Sequence, residues 1–259
     1  ALAPQDVGVS QPPPPVRLRN GAEPILSELG IQSVEDAFEV EGQLLREAEN
    51  RTTLRVETGN TPFVLKRYAA RKGLLPRWGT SPAEHEWGVL VQLEEQDFPV
   101  PRPLAVGAES GPRGRSFLLM QWLPGQDLKV LLREHPVANW RTDLPVRMGA
   151  FTRRFHQSGL FHRDYYLNHF RLDLEDPEKQ LGLLDLQRVG RGSPPRRRWL
   201  IKDLAALASS CPANVRQTER LRFLLAYLGK KRVDSSLRGW MGSILAKEKR
   251  IRAHQPKFP

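Results

Sequence analysis

The chain has very little cysteine. A single residue, Cys211, stands among 259. That excludes an internal disulfide and any cysteine-rich metal site, and it fits a reducing cytoplasm. Long apolar runs are also absent. No stretch reaches the roughly 18 apolar residues that would cross a bilayer, so no membrane-spanning segment is expected. The N-terminal stretch has no basic cluster followed by an apolar core, so no secretory leader is expected. No internal repeat is visible. Hydrophobic residues make up 39% of the chain, a share that suits a soluble protein long enough to bury one large core or two smaller ones.

Positive charge is in excess. A net charge of +11 calls for a nucleic acid, an anionic membrane surface or a polyanionic substrate, or else for basic faces that are simply solvated. Ala1 to Asn20 carries Pro12-Pro13-Pro14-Pro15 and reads as an extended lead. Glu23 to Phe38 reads as one or two short helices, with Ser33 capping the turn Val34-Glu35-Asp36. Leu44 to Ala48, Thr53 to Glu57 and Phe63 to Lys66 are short strands separated by turn chemistry, Glu49-Asn50-Arg51 and Gly59-Asn60-Thr61-Pro62. Ala83 to Gln96 has Trp87, Leu90, Val91 and Leu93 at helical spacing. Ser116 to Leu123 is a buried strand, in which Met120 and Trp122 are expected to serve the core. Beyond it helices dominate: Asp127 to Glu134, Asp143 to Gly159, Trp199 to Ser210 and Gln217 to Leu228.

Four residues in order give this pattern a chemical meaning. Phe63-Val64-Leu65-Lys66 is a strand ending in one Lys, and Glu86 stands in the first turn of the helix that follows. His162-Arg163-Asp164 has the form of a kinase catalytic loop, where the Asp orients or accepts the proton of the attacking hydroxyl. Leu183-Leu184-Asp185 runs an apolar pair into a carboxylate, where a kinase holds its magnesium. Glu84 competes with Glu86 as partner of Lys66; Glu86 is preferred because Glu86-Trp87 leads into the apolar face. The fold class that follows is α+β, a two-lobed protein-kinase-like fold with an antiparallel-sheet N-lobe and a mainly helical C-lobe. Its expected divisions are a disordered Pro-rich segment over 1–21, an N-lobe over 22–122, a C-lobe over 123–246 and a basic tail over 247–259. The glycine-rich nucleotide loop is missing. Arg51, Thr52 and Thr53 stand at its place, so phosphate contact there falls to side chains.

His162-Arg163-Asp164-Tyr165-Tyr166-Leu167-Asn168-His169-Phe170 resembles the catalytic loop of the bacterial lipopolysaccharide core kinases, the heptose kinases in particular. Leu184-Asp185-Leu186-Gln187-Arg188 is similar to their magnesium-binding segment, with Gln187 in place of a His. Arg198-Trp199-Leu200-Ile201-Lys202-Asp203-Leu204 resembles the start of a helix in those enzymes, Arg51-Thr52-Thr53-Leu54-Arg55 their glycine-free nucleotide loop, and Glu86-Trp87 their helix pair. The likeness runs from about residue 35 to about residue 230. It does not extend to the Pro-rich N-terminus or the basic tail.

The resemblance implies an ATP- and magnesium-dependent kinase acting on a sugar hydroxyl, heptose above all, in the inner core of lipopolysaccharide. It would work as a peripheral protein on the cytoplasmic face of the bacterial inner membrane. Asp164 would act on the acceptor hydroxyl, Asp185 would bind Mg2+, and Lys66 held by Glu86 would neutralise phosphate. His169 stands where a protein kinase has a magnesium-binding Asn, and it reads equally as a metal ligand or as a hydrogen-bond donor, since imidazole is a poor magnesium ligand. Asp203 would brace the loop from below. Arg163, Arg188, Arg196 and Arg197 would grip an anionic acceptor, the last two from a loop that Gly190, Gly192, Pro194 and Pro195 keep irregular. Lys230-Lys231-Arg232 and the tail would meet the anionic membrane surface. Nucleic acid is not expected as a partner. Two other classes share these residues: a kinase of another small molecule or of protein, and a non-catalytic pseudokinase.

Overall fold

The computed structural model describes residues 16–70, 79–109, 113–176 and 180–253. The polyproline run, much of the basic stretch before Ser81 and the final residues 254–259 lie outside them. The chain divides into two compact units. One comprises the residues up to Val91 together with Arg102–Trp122; the other comprises Gln92–Pro101 and the residues from Leu123 onward.

The first unit is a sheet with helices. Its strands are β1 (Arg17–Leu18), β2 (Gln43–Ala48), β3 (Arg51–Thr58), β4 (Thr61–Tyr68), β5 (Pro103–Ala108) and β6 (Ser116–Gln121), in the antiparallel order β1-β5-β6-β4-β3-β2. Alternation divides β4 between two faces. Phe63 and Leu65 point into a core with Leu54, Val56, Phe117 and Leu119, covered by α1 (Glu23–Glu28) and α2 (Val34–Glu39). Each fully buried Leu or Phe of that cluster contributes about 1.5–3 kcal/mol. The helix α2 starts on a capping box. Ser33 Oγ accepts the Asp36 amide at 3.1 Å, and the Asp36 carboxylate, held below its usual pKa by these bonds, accepts the Gln32 and Ser33 amides at 2.9 and 2.8 Å. The lead read as disordered over 1–21 turns ordered at its end, where Arg17 and Leu18 pair with Val106 and Ala105. The reason is backbone demand, since β5 would otherwise present a bare edge.

The second unit contains β7 (Gln126–Asp127), α4 (Leu128–Glu134), α5 (Leu144–Gln157), β8 (Leu160–Phe161), β9 (Phe170–Leu172), β10 (Leu181–Leu183), β11 (Gly190–Arg191), α6 (Arg197–Ser210), α7 (Gln217–Leu228) and α8 (Ser235–Ala253). The pair β9 and β10 forms the hairpin expected from Leu172 and Leu181 to Leu183, extended by β7 on its far side. The last helix runs further than the sequence suggested. Residues 247–253, read as the start of a basic tail, are its final turns. Ile244 and Ile251 pack into the core of α6 and α7, and Glu248 accepts from Arg252 at 3.0 Å and lies 3.5 Å from Arg220. Every third or fourth side chain thus has a partner inside, which is what keeps so basic a segment helical.

The helices α5 and α7 approach so closely that only glycine fits at their crossing. A Cβ on Gly149 would stand 2.4 Å from the Phe223 carbonyl oxygen and 2.7 Å from the Ala226 Cβ. One added methyl must therefore push backbone apart, because the partner atoms belong to a helix and not to a flexible side-chain end. Gly149→Ala is expected to destabilise the fold by about 1–3 kcal/mol, although alanine is the better helix former. Urea denaturation of the two proteins checks this. A neutral or stabilised variant would mean that the helices can part at no cost.

Candidate active site

The first unit places a buried ion pair on the sheet face away from α1 and α2. Lys66 of β4 is 6% exposed and Glu86 is 1% exposed. Glu86 lies on α3 (Pro82–Glu94), and the Lys66 ammonium donates to its Oε1 at 2.6 Å. The other carboxylate oxygen is taken too: the Tyr68 hydroxyl donates to Glu86 Oε2 at 2.6 Å. Tyr68 escaped the sequence reading. Strand period was the available signal, since two residues after Lys66 the chain returns to the same face. Glu84, the competing partner, is used otherwise. It closes a capping box with Ser81, accepting the Ser81 amide at 3.1 Å while Ser81 Oγ accepts the Glu84 amide at 3.2 Å, and it pairs with Arg17.

Strand register sorts the nucleotide-loop candidates. The turn between β2 and β3 is only Glu49-Asn50, and the ladder already includes Arg51, Thr52 and Thr53. The loop expected from the sequence is therefore strand at these positions, because two β-branched threonines suit a pleated backbone. Thr53 stands opposite Lys66 and Arg51 opposite Tyr68, so both share the face of the ion pair. Thr52 stands opposite Arg67, on the face that carries α2. Its side chain is turned away from Lys66.

The second unit holds the loop after β8. Asp203 of α6 is fully buried, and its carboxylate accepts the His162 amide at 2.6 Å and the Arg163 amide at 2.7 Å. His156 Nε2 faces the same carboxylate at 3.4 Å, and its Nδ1 meets the Tyr227 hydroxyl at 2.9 Å. His162 Nε2 donates to the Leu184 carbonyl at 3.1 Å. Its Nδ1 is buried without a hydrogen-bond partner. Burial holds this imidazole below its usual pKa although Asp203 pulls the other way, so the ring is a neutral strut. Tyr165, also buried, donates its hydroxyl to Thr152 Oγ1 at 3.1 Å.

On that frame three candidate residues converge. His169 Nδ1 donates to the Asp164 carbonyl at 2.7 Å, and its Nε2 lies 3.6 Å from Asp185 Oδ2. Asp185 and Arg163 both hold left-handed backbone, with φ of 57° and 72°. For residues other than glycine such backbone costs on the order of 1 kcal/mol or more and persists only where its surroundings impose it. The Asp164 carboxylate is not bare: Arg188 Nη1 donates to Oδ1 at 3.0 Å and to Oδ2 at 2.8 Å.

The remaining arginines divide. Arg197 and Arg198 are not loop residues but the first turn of α6, the chain becoming helical as soon as Pro194 and Pro195 are passed. Arg197 lies 4.7 Å from the centre of the Trp240 ring and donates to Ser243 Oγ at 3.4 Å, so α8 occupies it. Arg196 is the exposed N-cap residue. Trp199 stacks on Phe161 at 5.1 Å and gathers Arg163 at 5.8 Å, Arg198 at 4.9 Å and Lys202 at 6.0 Å around its ring. Lys230 pairs with Asp234.

No cluster of three or more His, Cys, Asp or Glu side chains arranged for a metal exists among the described residues. A cation on Asp185 would thus take the rest of its shell from phosphate oxygens and water, as magnesium commonly does.

A cavity of about 550 Å³ opens among α5, α6, α7 and α8. Leu144, Met148, Leu204, Leu224 and Ile244 line it, and so does Leu167 of the catalytic loop. Cys211 is also in its wall, where burial pushes the thiol up to about 11 and leaves it protonated and inert.

The profile of the lipopolysaccharide kinase (Kdo/WaaP) family matches residues 36–227. The chain belongs to that family. Among its relatives, the lipopolysaccharide core heptose(I) kinase WaaP of Pseudomonas aeruginosa is 27% identical over 249 residues, which are 87% of this chain and 90% of that protein. The 3-deoxy-D-manno-octulosonic acid kinase of Haemophilus influenzae is 27% identical over 138 residues, 51% of this chain and 54% of its own length. A solved structure of WaaP in complex with acyl carrier protein superposes with a TM-score of 0.75 at 27% identity, covering 92% of this chain and 98% of that one. The fold is therefore the two-lobed, α+β kinase fold, and the four residues that suggested it lie in their expected order.

The double use of Glu86 gives a measurable consequence. Tyr68→Phe removes a hydrogen bond to a buried charge, and the expected loss is about 1.5–3 kcal/mol of stability. The Lys66→Ala and Tyr68→Phe changes should not add, because both act on one carboxylate. Denaturant titration of both single variants and the double variant measures the coupling. Strict additivity would mean that the three groups do not form one network.

Proposed function

We propose that this kinase transfers the terminal phosphoryl group of ATP to a sugar hydroxyl of the lipopolysaccharide inner core, with heptose as the sugar. The observation that carries the reading is the convergence of Asp164, His169 and Asp185 on a loop whose backbone is fixed by one buried carboxylate. The two relatives named as core heptose and 3-deoxy-D-manno-octulosonic acid kinases support the choice of acceptor.

In this reading Asp164 takes the proton of the acceptor hydroxyl. Asp185 would hold a magnesium ion, which would supply positive charge to the nucleotide phosphates. Lys66, held by Glu86, meets the nucleotide phosphates, with Arg51 and Thr53 beside it on the same sheet face. Arg188 restrains the Asp164 carboxylate and is the arginine of the set best placed to meet an anionic acceptor. Among the described residues no helix is long and apolar enough to cross a membrane. Attachment to the anionic cytoplasmic face of the inner membrane would then rest on basic residues such as Lys231 and Arg232, each contributing on the order of 1 kcal/mol. Lys230 contributes less, its charge being offset by Asp234.

The test is a mass measurement. Lipopolysaccharide core incubated with the protein, ATP and magnesium should gain one phosphate. Asp164→Asn should lower the rate by about 10²–10⁴ with the fold intact. Phosphate on free sugars or on protein with none on the core would instead identify a kinase of another substrate class. Nucleotide binding without any transfer would identify a pseudokinase.

An acyl carrier protein is proposed as a partner, since a solved relative was obtained with one and the apolar cavity of the second unit has room for an acyl chain. Acylated carrier should bind at least about tenfold more tightly than the same carrier without its acyl group, the burial of two or three methylenes being enough for that. Equal binding of the two forms, read by calorimetry, would remove the cavity from the interaction.

A further inference from the structure

The catalytic loop supplies no cation of its own after the base. Between Asp164 and His169 it reads Tyr165, Tyr166, Leu167 and Asn168. Phosphoryl transfer is driven by positioning and by positive charge around the migrating group, so charge is needed close to Asp164. Three cations of the second unit are grouped there: Arg163, Arg188 and Lys202. Two have partners. Arg188 donates to both oxygens of Asp164, and Arg163 is fixed by left-handed backbone with its guanidinium 5.8 Å from the centre of the Trp199 ring. Lys202 differs. It lies on α6 immediately before Asp203, the residue that holds the amides of His162 and Arg163, so its backbone is tied to the loop one residue away from Asp164. Its ammonium rests 6.0 Å from the centre of the Trp199 ring and makes no hydrogen bond or ion pair with any described residue.

A half-buried ammonium with no hydrogen-bonded anion is costly, and such a group is normally paired when its ligand is present. Burial depresses its pKa, Asp164 opposes that, and Arg188 and Arg163 reinforce it, which puts the ammonium within electrostatic reach of the catalytic carboxylate. The platform under it is rigid. Trp199 is stacked on Phe161 with an interplanar angle of 8°, and Phe161 leads directly into His162.

We propose that Lys202 is a further catalytic residue, its ammonium contacting the phosphoryl group as it moves from nucleotide to acceptor. In that step the acceptor oxygen forms its bond to the γ-phosphorus while the bond from that phosphorus to the bridging oxygen breaks. The hydroxyl proton passes to Asp164, and the bridging electron pair leaves with ADP. Negative charge spreads over the equatorial oxygens of the migrating group, and a fixed ammonium beside Asp164 is favourable to the step because it binds that state better than the ground state. Helix α6 thus supplies by its first turns the charge that the loop itself omits.

The proposal rests on the phosphotransferase reading above, and its test separates the two. The full chain carrying Lys202→Met, Lys202→Gln or Lys202→Arg is compared with the parent. Lys202→Met should lower kcat about 100-fold, the scale of one lost donor to developing charge. The Michaelis constants for ATP and for the core acceptor should stay within about threefold. Lys202→Arg should recover at least about a tenth of parental kcat, because it keeps a cation and a stem over Trp199. Binding gives a readout that needs no acceptor: magnesium ADP should bind parent and Lys202→Met alike, whereas magnesium ADP with aluminium fluoride, which mimics the migrating phosphoryl, should bind the variant at least about 30-fold more weakly. If Lys202→Met does not fold, Lys202→Gln replaces it in both assays. A kcat within about threefold of the parent would overturn the proposal. So would a loss carried wholly by the acceptor's Michaelis constant, which would assign Lys202 to an anionic group of the acceptor. Equal fluoride-complex binding by parent and variant would overturn it as well. A parent that phosphorylates no core would defeat the substrate reading alone, and the fluoride comparison would still decide Lys202.

Discussion

Asp203 is a carboxylate in the interior of a helical unit, fully buried, and among the described residues no lysine or arginine pairs with it. Its charge is compensated instead by two main-chain amides at 2.6 and 2.7 Å and by the His156 ring at 3.4 Å. Charge-assisted bonds of this kind are worth roughly twice neutral ones, and a buried anion deprived of them would be untenable. The dependence is mutual. The loop keeps Arg163 in left-handed backbone because its amide is bound, and Asp203 tolerates burial because the loop is there. Everything chemical in the second unit follows from that exchange: the direction of Asp164, the reach of His169 to the Asp164 carbonyl, and the distance from His169 to Asp185.

The first unit solves a similar problem in another way. A buried Lys66 is balanced by a buried Glu86, and the second oxygen of that glutamate is satisfied by Tyr68. A buried pair stabilises only when its remaining lone pairs are met, which is why the third member matters as much as the pair. The capping box of α3 belongs to the same arrangement. By engaging Glu84 with Ser81 it fixes where the helix starts, and so which face of the first turn Glu86 occupies.

How much of this was legible in the sequence varied with the range of the interaction. Lys66, Glu86, Asp164 and Asp185 could be singled out because each sits at a boundary that local patterning marks, a strand end, a helix start or a loop between apolar runs. The α+β class and the order of elements followed from the same patterning. Tyr68 was not singled out, since its place in the network depends on where its side chain comes to rest against α3. The split of Arg51 and Thr53 from Thr52 needed the register of β3 against β4, which strand propensity does not specify. The helical end over 247–253 was hidden by its charge: five of the six residues from Lys247 to Arg252 are charged, and Ile251 and the buried Glu248 tie it to the core.

The arginine-rich stretch after Asp185 shows why composition alone misleads. Read as a sequence it is one basic patch for one anionic partner. In the structure three of its arginines have separate uses. Arg188 closes on Asp164, Arg197 holds α6 to α8 through Trp240 and Ser243, and Arg198 lies over Trp199. Basic side chains in the first turn of a helix oppose its dipole by a few tenths of a kcal/mol each. They are retained here where an aromatic ring or a hydroxyl accepts them, so the cost is met by packing. The charge of this stretch is thus divided among separate local contacts rather than pooled in one patch.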